Sequence, residues 1–199
     1  MKHVIIYIHG FNSGPGEKVT TLQSTFPDCE IIAPQLAYSP SVAIKQLQSI
    51  IESCKGKVVH VVGTSLGGFY TMYLSTIKSP EAEIFYYVIN PSFTPQKSLQ
   101  RYLNTTVTNY KTQEQFQVDW TFVVELATYQ LEMVDKYSAN CIHLSNYYIG
   151  VQDSVLDYLD FQMFIEKFDV PFRMYKSKQD HRFSDISPVI NSLKINMAF

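Results

Sequence analysis

The chain has 199 residues, enough for one domain with a sizeable core. Hydrophobic residues make up 46% and charged residues 17%, which excludes a disordered chain, and a formal net charge of -2 leaves no basic surplus for nucleic acid. Three scattered cysteines, Cys29, Cys54 and Cys141, form neither a disulfide framework nor a metal-ligand spacing and fit a reducing cytoplasm.

The first apolar run, Val4 to Ile8, is too short for a membrane helix, and no small-residue cleavage site follows it, so it reads as a strand and not a signal peptide. A second strand is expected at Glu30 to Ala33. The segment Ser41 to Cys54 reads as a helix with Val42, Ile44, Leu47, Ile50 and Ile51 near one face and Pro40 and Ser41 in cap positions. A third strand, Val58 to Val62, runs into Gly63-Thr64-Ser65-Leu66-Gly67-Gly68 and a helix from Leu66 to Ile77 that Ser79-Pro80 ends. The fourth strand, Ile84 to Ile89, closes at Asn90-Pro91. A fifth is expected from Cys141 to Ile149, carrying His143, and a sixth from Pro171 to Tyr175. Helices are expected at Val155 to Phe168, after the N-cap types Asp153 and Ser154, and at Ile186 to Ile195. Strands alternating with helices predict an α/β fold, a three-layer α/β/α sandwich around a mostly parallel six-stranded sheet. The segment from Pro91 to Ala139 breaks that rhythm with a polar, loop-like stretch, Asn104-Thr105-Thr106, and a helix near Phe122 to Val134. It reads as an excursion, at about 91–139, from a single domain spanning 1–199, and as a candidate lid.

Strand, Gly-x-Ser-x-Gly turn and helix together form the setting of a nucleophile elbow. Side chains at Gly63 and Gly67 would collide with backbone in so tight a turn, and Ser65 would stand out at the carboxyl edge of the sheet. A serine hydroxyl needs a base, and the base needs an orienting acid. In a parallel sheet both belong in loops at the carboxyl ends of strands. His60 and His143 fall inside strand patterns and His3 at the wrong end of a strand, whereas His181 follows the last strand in a polar loop. Asp153 follows the fifth strand, with Asp157, one helical turn later, as the alternative acid. The amide of Leu66 and that of Phe11, in the glycine-rich loop after the first strand, are the candidate oxyanion donors. That loop, His9 to Gly16, lacks the Gly-Lys-Ser/Thr ending of a phosphate-binding loop. His9 either orients the loop or simply ends a strand. The 14 tyrosines and 13 phenylalanines fit ordinary packing or an aromatic-lined acyl pocket.

Six blocks carry a family resemblance: Tyr7-Ile8-His9-Gly10-Phe11-Asn12-Ser13, Ala33-Pro34-Gln35-Leu36, Val62 to Tyr70, Ile89-Asn90-Pro91, Gln152 to Tyr158, and Asp180-His181-Arg182-Phe183 through Pro188. With them the chain resembles the α/β-hydrolase superfamily and, within it, the small bacterial YqiA/YcfP-like esterase family. The resemblance implies a compact hydrolase that lacks the superfamily's first antiparallel strands. It also implies a Ser, Asp, His triad, carried onto Ser65, Asp153 and His181. The expected activity is cleavage of a small-molecule carboxylic ester or thioester through an acyl-enzyme on Ser65, in the cytoplasm, with no cofactor or metal, no nucleic-acid partner and no membrane span. The alternatives are a non-catalytic binding protein of the same fold, or a peptidase or C–C hydrolase using the same residues.

Overall fold

The computed structural model describes residues 2–77 and 82–198. In chain order the elements are β1 (His3–Ile8), α1 (Glu17–Thr25), β2 (Glu30–Ile32), α2 (Pro40–Ser53), β3 (Val58–Thr64), α3 (Leu66–Ser75) and β4 (Glu83–Ile89). Then come α4 (Pro95–Leu99), a 3-10 turn (Gln100–Tyr102), β5 (Thr105–Thr108), β6 (Gln115–Val118), α5 (Trp120–Lys136) and α6 (Ala139–His143). The chain closes with β7 (Ser145–Gly150), α7 (Leu159–Glu166), β8 (Arg173–Ser177) and α8 (Ser187–Met197).

Six strands pair in the order β2-β1-β3-β4-β7-β8, every pair parallel, and β5 and β6 form a separate antiparallel hairpin. The central strands are apolar throughout because side chains alternate between two covered faces. On one face Val4, Ile6, Ile8, Val59 and Val61 pack into a core with α2, α3, α5 and α7. On the other, Ile5, Tyr7, Val62 and Tyr87 meet α1 and α8 through Val19, Leu22, Val189 and Leu193. The layers are therefore helix, sheet, helix. Among the described residues no helix is long and apolar enough to cross a membrane.

Several expectations need correction. The fifth strand begins at Ser145; Ala139–His143 is a short helix, and His143 lies exposed at its end and not in a strand. The polar Thr105–Thr108 stretch is a strand, paired with Gln115–Val118. Its residues alternate exposed and buried, so only Val107, Phe116 and Val118 carry the apolar signal. Helix α2 is capped by Ser39, whose hydroxyl accepts from the Val42 amide, while Pro40 takes the first helical position and Val42 is exposed. Helix α7 starts at Leu159, later than Val155. Helix α1 and the five-residue α4 were not anticipated. The expected helix stop at Ser79-Pro80 lies outside the described residues.

One buried polar chain crosses the lower half of the sheet. His60, fully buried on β3, places one ring nitrogen 3.0 Å from the other imidazole of His3 and the second 3.0 Å from the Tyr87 hydroxyl, which accepts from Asn196 at 2.8 Å. Burial, and then the neighbouring His3, pulls the His60 imidazole down to about 4. In the unfolded chain it titrates near ~6.5. The stability it contributes is therefore intact above that value. It is lost as pH falls towards the folded value, because only the unfolded chain takes up the proton. Wild type should lose about 3 kcal/mol from this group between neutral pH and roughly pH 4. In urea melts across that range His60→Gln should show a shallower pH slope; an unchanged slope contradicts the assignment.

Candidate active site

β1 and β3 are neighbours, yet β2 lies on the far side of β1, so the chain reverses its winding direction between these two strands. At such a switch point the loops leaving the two strands diverge and open a crevice at their carboxyl ends. Ser65 stands there, directly after β3, with φ 59 and ψ -119. A non-glycine residue in that region is strained and persists only when its surroundings fix it. Here Ser65 N–H donates to Ile89 O at 3.0 Å, and Ser65 O accepts from Ser92 at 3.0 Å and from Phe69 at 3.1 Å. A Cβ on Gly67 would strike the Ile8 carbonyl, and one on Gly63 the Gly67 carbonyl and the Thr71 hydroxyl, so only glycine lets α3 pack this closely under β1 and β3.

His181, in the loop between β8 and α8, brings Nε2 to 3.0 Å from Ser65 Oγ, and its Nδ1 lies 2.7 Å from Asp153 Oδ2. A carboxylate can only accept, so Nδ1 carries the proton and the Nε2 lone pair faces the serine hydroxyl. The Asp153 side chain is 3% exposed. Burial alone would raise its carboxyl, but the His181 hydrogen bond and the amides of Leu156 and Val155 outweigh it and hold the group below the ordinary value. Those two amides donate to Oδ1 at 2.9 and 2.7 Å. One carboxylate thus caps the following turn with one oxygen and meets the imidazole with the other. Asp157, the alternative acid, instead accepts from the Leu159 amide at 2.9 Å.

The two loops nearest Ser65 each carry an amide with no internal acceptor among the described residues. Neither Phe11 N–H nor Leu66 N–H donates to another described residue, and both residues line the cleft at Ser65. Leu66 opens α3, where helix-terminal N–H groups favour negative charge. The Phe11 amide is held indirectly. Leu36 N–H donates to His9 Nε2 at 3.1 Å, so the His9 proton sits on Nδ1 and is donated to Gly10 O at 2.8 Å. Gly10 C=O and Phe11 N–H belong to one rigid peptide plane, so anchoring the carbonyl fixes the direction of the amide. Burial pulls the His9 imidazole below its ordinary value, which keeps Nε2 free to accept.

The excursion lies over this corner. Phe116 of β6 stacks on Tyr38 at 4.0 Å and meets Phe11 at 5.6 Å, and Phe122 of α5 meets Phe11 at 5.9 Å. Tyr110, in the β5–β6 turn, hydrogen-bonds Ser13 at 2.6 Å. Glu125 of α5 accepts from Ser41 N–H, Ser41 Oγ and Ser39 Oγ, tying the excursion to the N-terminus of α2. Two recesses flank Phe11 and Leu66. The open cleft of about 210 Å³ contains Ser65 and His181; an aromatic recess of about 30 Å³ lies between Phe11, Tyr38, Tyr70, Phe116 and Phe122.

With this geometry in view, residues 4–197 match the model of the uncharacterised protein family UPF0227. The chain belongs to that family. Among solved structures it is similar to Est1E from Butyrivibrio proteoclasticus, with TM-score 0.70 and 14% identity over 99% of this chain and 87% of that one. It is also similar to alpha/beta hydrolase domain-containing protein 10 from mouse, with TM-score 0.67 and 15% identity over 98% and 89% of the two chains. A monoacylglycerol lipase from Paleococcus ferrophilus aligns with TM-score 0.68 and 11% identity over 98% and 93%. The UPF0227 chain therefore has the α/β-hydrolase fold.

Asn90 escaped the sequence reading as a site residue. It is buried at the end of β4 with φ 39. Its Oδ1 accepts from Gly150 N–H at 2.7 Å, and its Nδ2 donates to Asp180 O at 3.1 Å and His181 O at 3.2 Å. The amide orientation follows from its neighbours, since an N–H only donates and carbonyls only accept. One side chain thereby joins the strand end that leads to Asp153 with the loop that carries His181. Asn90→Ala leaves these groups unpaired and puts alanine at a positive φ. Urea unfolding should show a loss of at least ~2 kcal/mol; an unchanged midpoint contradicts the clamp.

Proposed function

We propose that this chain is a serine hydrolase that cleaves a carboxylic ester or thioester through an acyl-enzyme on Ser65. The observation that carries the reading is the continuous hydrogen-bonded line from Ser65 Oγ to His181 Nε2, 3.0 Å, and from His181 Nδ1 to Asp153 Oδ2, 2.7 Å. Two amides without internal acceptors beside it support the same reading. So do the names of the fold's relatives, which include a monoacylglycerol lipase and an esterase from Pyrococcus furiosus.

Ser65 Oγ attacks the carbonyl carbon while its proton passes to His181 Nε2. Asp153 holds the imidazole in the required tautomer and stabilises the imidazolium that forms. The carbonyl oxygen becomes an oxyanion facing the N–H groups of Phe11 and Leu66, which are fixed before reaction and need no reorganisation. As the carbonyl C–O or C–S bond breaks, the leaving alcohol or thiol takes the proton back from Nε2, and the acyl group stays on Oγ. Water then enters, gives its proton to Nε2 and attacks the acyl carbon; the acid leaves and Ser65 recovers its hydrogen. The leaving group carries off the proton that began on Ser65 and water supplies its replacement, so Ser65 and His181 end the cycle in the states in which they began it. We read the β5–β6 hairpin and α5 as the cover that bounds the acyl group, and the chain as one domain bearing that excursion.

The test is hydrolysis of short p-nitrophenyl esters and of acyl-CoA. Ser65→Ala should reduce turnover to background. Asp153→Asn should lower kcat by about 10³- to 10⁴-fold, as expected when the imidazole is held in the wrong tautomer. Asp157→Asn, whose carboxylate only caps a turn, should stay within about threefold. Turnover that persists in Ser65→Ala, or a larger loss from Asp157 than from Asp153, contradicts the assignment.

A further inference from the structure

The wall of the open cleft contributed by the excursion is mostly polar, with Ser92, Ser98, Arg101, Tyr102 and Tyr110 beside a single apolar residue, Leu99. Arg101 is the one permanently charged side chain among the described residues that line it. It is exposed, and among the described residues its guanidinium makes no ion pair and donates no hydrogen bond to the protein. It lies over the ring of Tyr102, whose centroid is 5.2 Å from Arg101 Cζ. Tyr102 in turn packs on Phe11 at 5.1 Å, so a single aromatic ring separates the guanidinium from the residue whose amide serves Ser65.

A chain with 18 acidic and 16 basic residues has carboxylates enough to neutralise an arginine, and no general basic surface explains a bare one beside this serine. The neighbouring serine hydroxyls cannot take its place. Ser98 donates to Pro95 O at 3.2 Å, which leaves Ser92 to donate to Ser98 at 2.8 Å. Both serine protons are thus committed, and among the described residues the Tyr102 hydroxyl has no hydrogen-bond partner, which leaves it as a second donor. A guanidinium presents five N–H donors in a planar fork that matches a carboxylate or phosphate in bidentate fashion, and an aromatic face helps to hold that plane.

We propose that Arg101 is a specificity-determining residue that binds an anionic group on the substrate, a carboxylate or a phosphate, so that the ester cleaved at Ser65 is a charged one. This rests on the serine-hydrolase reading given above. The relevant quantity is the ratio of kcat/KM for a charged ester to that for its neutral counterpart. p-Nitrophenyl hemiglutarate against p-nitrophenyl butyrate places the anion on the acyl side. 4-Carboxyphenyl butyrate against phenyl butyrate places it on the leaving group. In at least one pair Arg101→Gln should lower the ratio about tenfold, as for the loss of a hydrogen bond to a charged group, and Arg101→Lys should fall between. Comparing variants cancels the intrinsic reactivity of the esters. Competitive inhibition by glutarate or by phenyl phosphate, whichever binds tighter, tells a carboxylate site from a phosphate site. A ratio that moves by less than about threefold in both pairs, with turnover still abolished by Ser65→Ala, overturns this proposal and leaves the hydrolase reading standing. A wild type that cleaves none of the four esters takes both down.

Discussion

The site depends on the parallel pairing of β1 with β3, which sets Ile8 level with Gly63. That register brings two loop starts, His9 to Phe11 and Thr64 to Leu66, side by side at one edge of the sheet. Everything nearby follows from how closely they can approach. Gly67 has no Cβ to strike the Ile8 carbonyl, so α3 begins directly beneath the edge, and its first residue, Leu66, lines the same cleft as Phe11. A one-residue slip would keep apolar side chains on both faces of the strand but would part the two loops.

The strain at Ser65 is held by β4. Ile89 O and the Ser92 amide grip the Ser65 peptide from either side, while Asn90 reaches on to β7 and to the His181 loop. The end of β4 therefore links the segments that carry Ser65, Asp153 and His181. Buried polar side chains recur in this arrangement: His9 fixes a peptide plane, Asn90 joins three segments and Asp153 serves a turn and an imidazole at once. Each is satisfied on nearly every atom, which gives the low-dielectric interior a reason to keep one geometry. The buried and unpaired Asn12 Oδ1 is an exception, and it belongs to a residue lining the cleft.

The sheet was legible because a parallel strand covered on both faces is written as an uninterrupted apolar run, as in Val58 to Val62. Chain order then placed Ser65, Asp153 and His181 at strand ends, and the fold brings them within hydrogen-bond reach. Features that depend on partners distant in sequence were not legible. Asn90 bonds groups 60 and 90 residues away, and nothing local to Ile89-Asn90-Pro91 announces them. The β5–β6 hairpin hid because Thr105, Thr106 and Thr108 are exposed and polar, so the strand looked like a loop. Cys141 to Leu144 was read as strand because a short apolar run carries no usable period, and only packing makes it one turn of helix. That Asp153 meets His181 while Asp157 meets the Leu159 amide was not legible either, because it depends on the turn after β7, in which Asp153 N–H donates to Gly150 O at 3.1 Å.

The central claim is that Ser65 is an activated nucleophile. Reaction with a fluorophosphonate probe tests it most directly, since an unactivated serine hydroxyl does not react at a useful rate. The folded wild type should gain the mass of one phosphonyl group, located by peptide mass spectrometry on the segment containing Ser65, and His181→Ala should label far more slowly. A folded wild type that takes up no probe, or that carries it on another residue, would contradict the account.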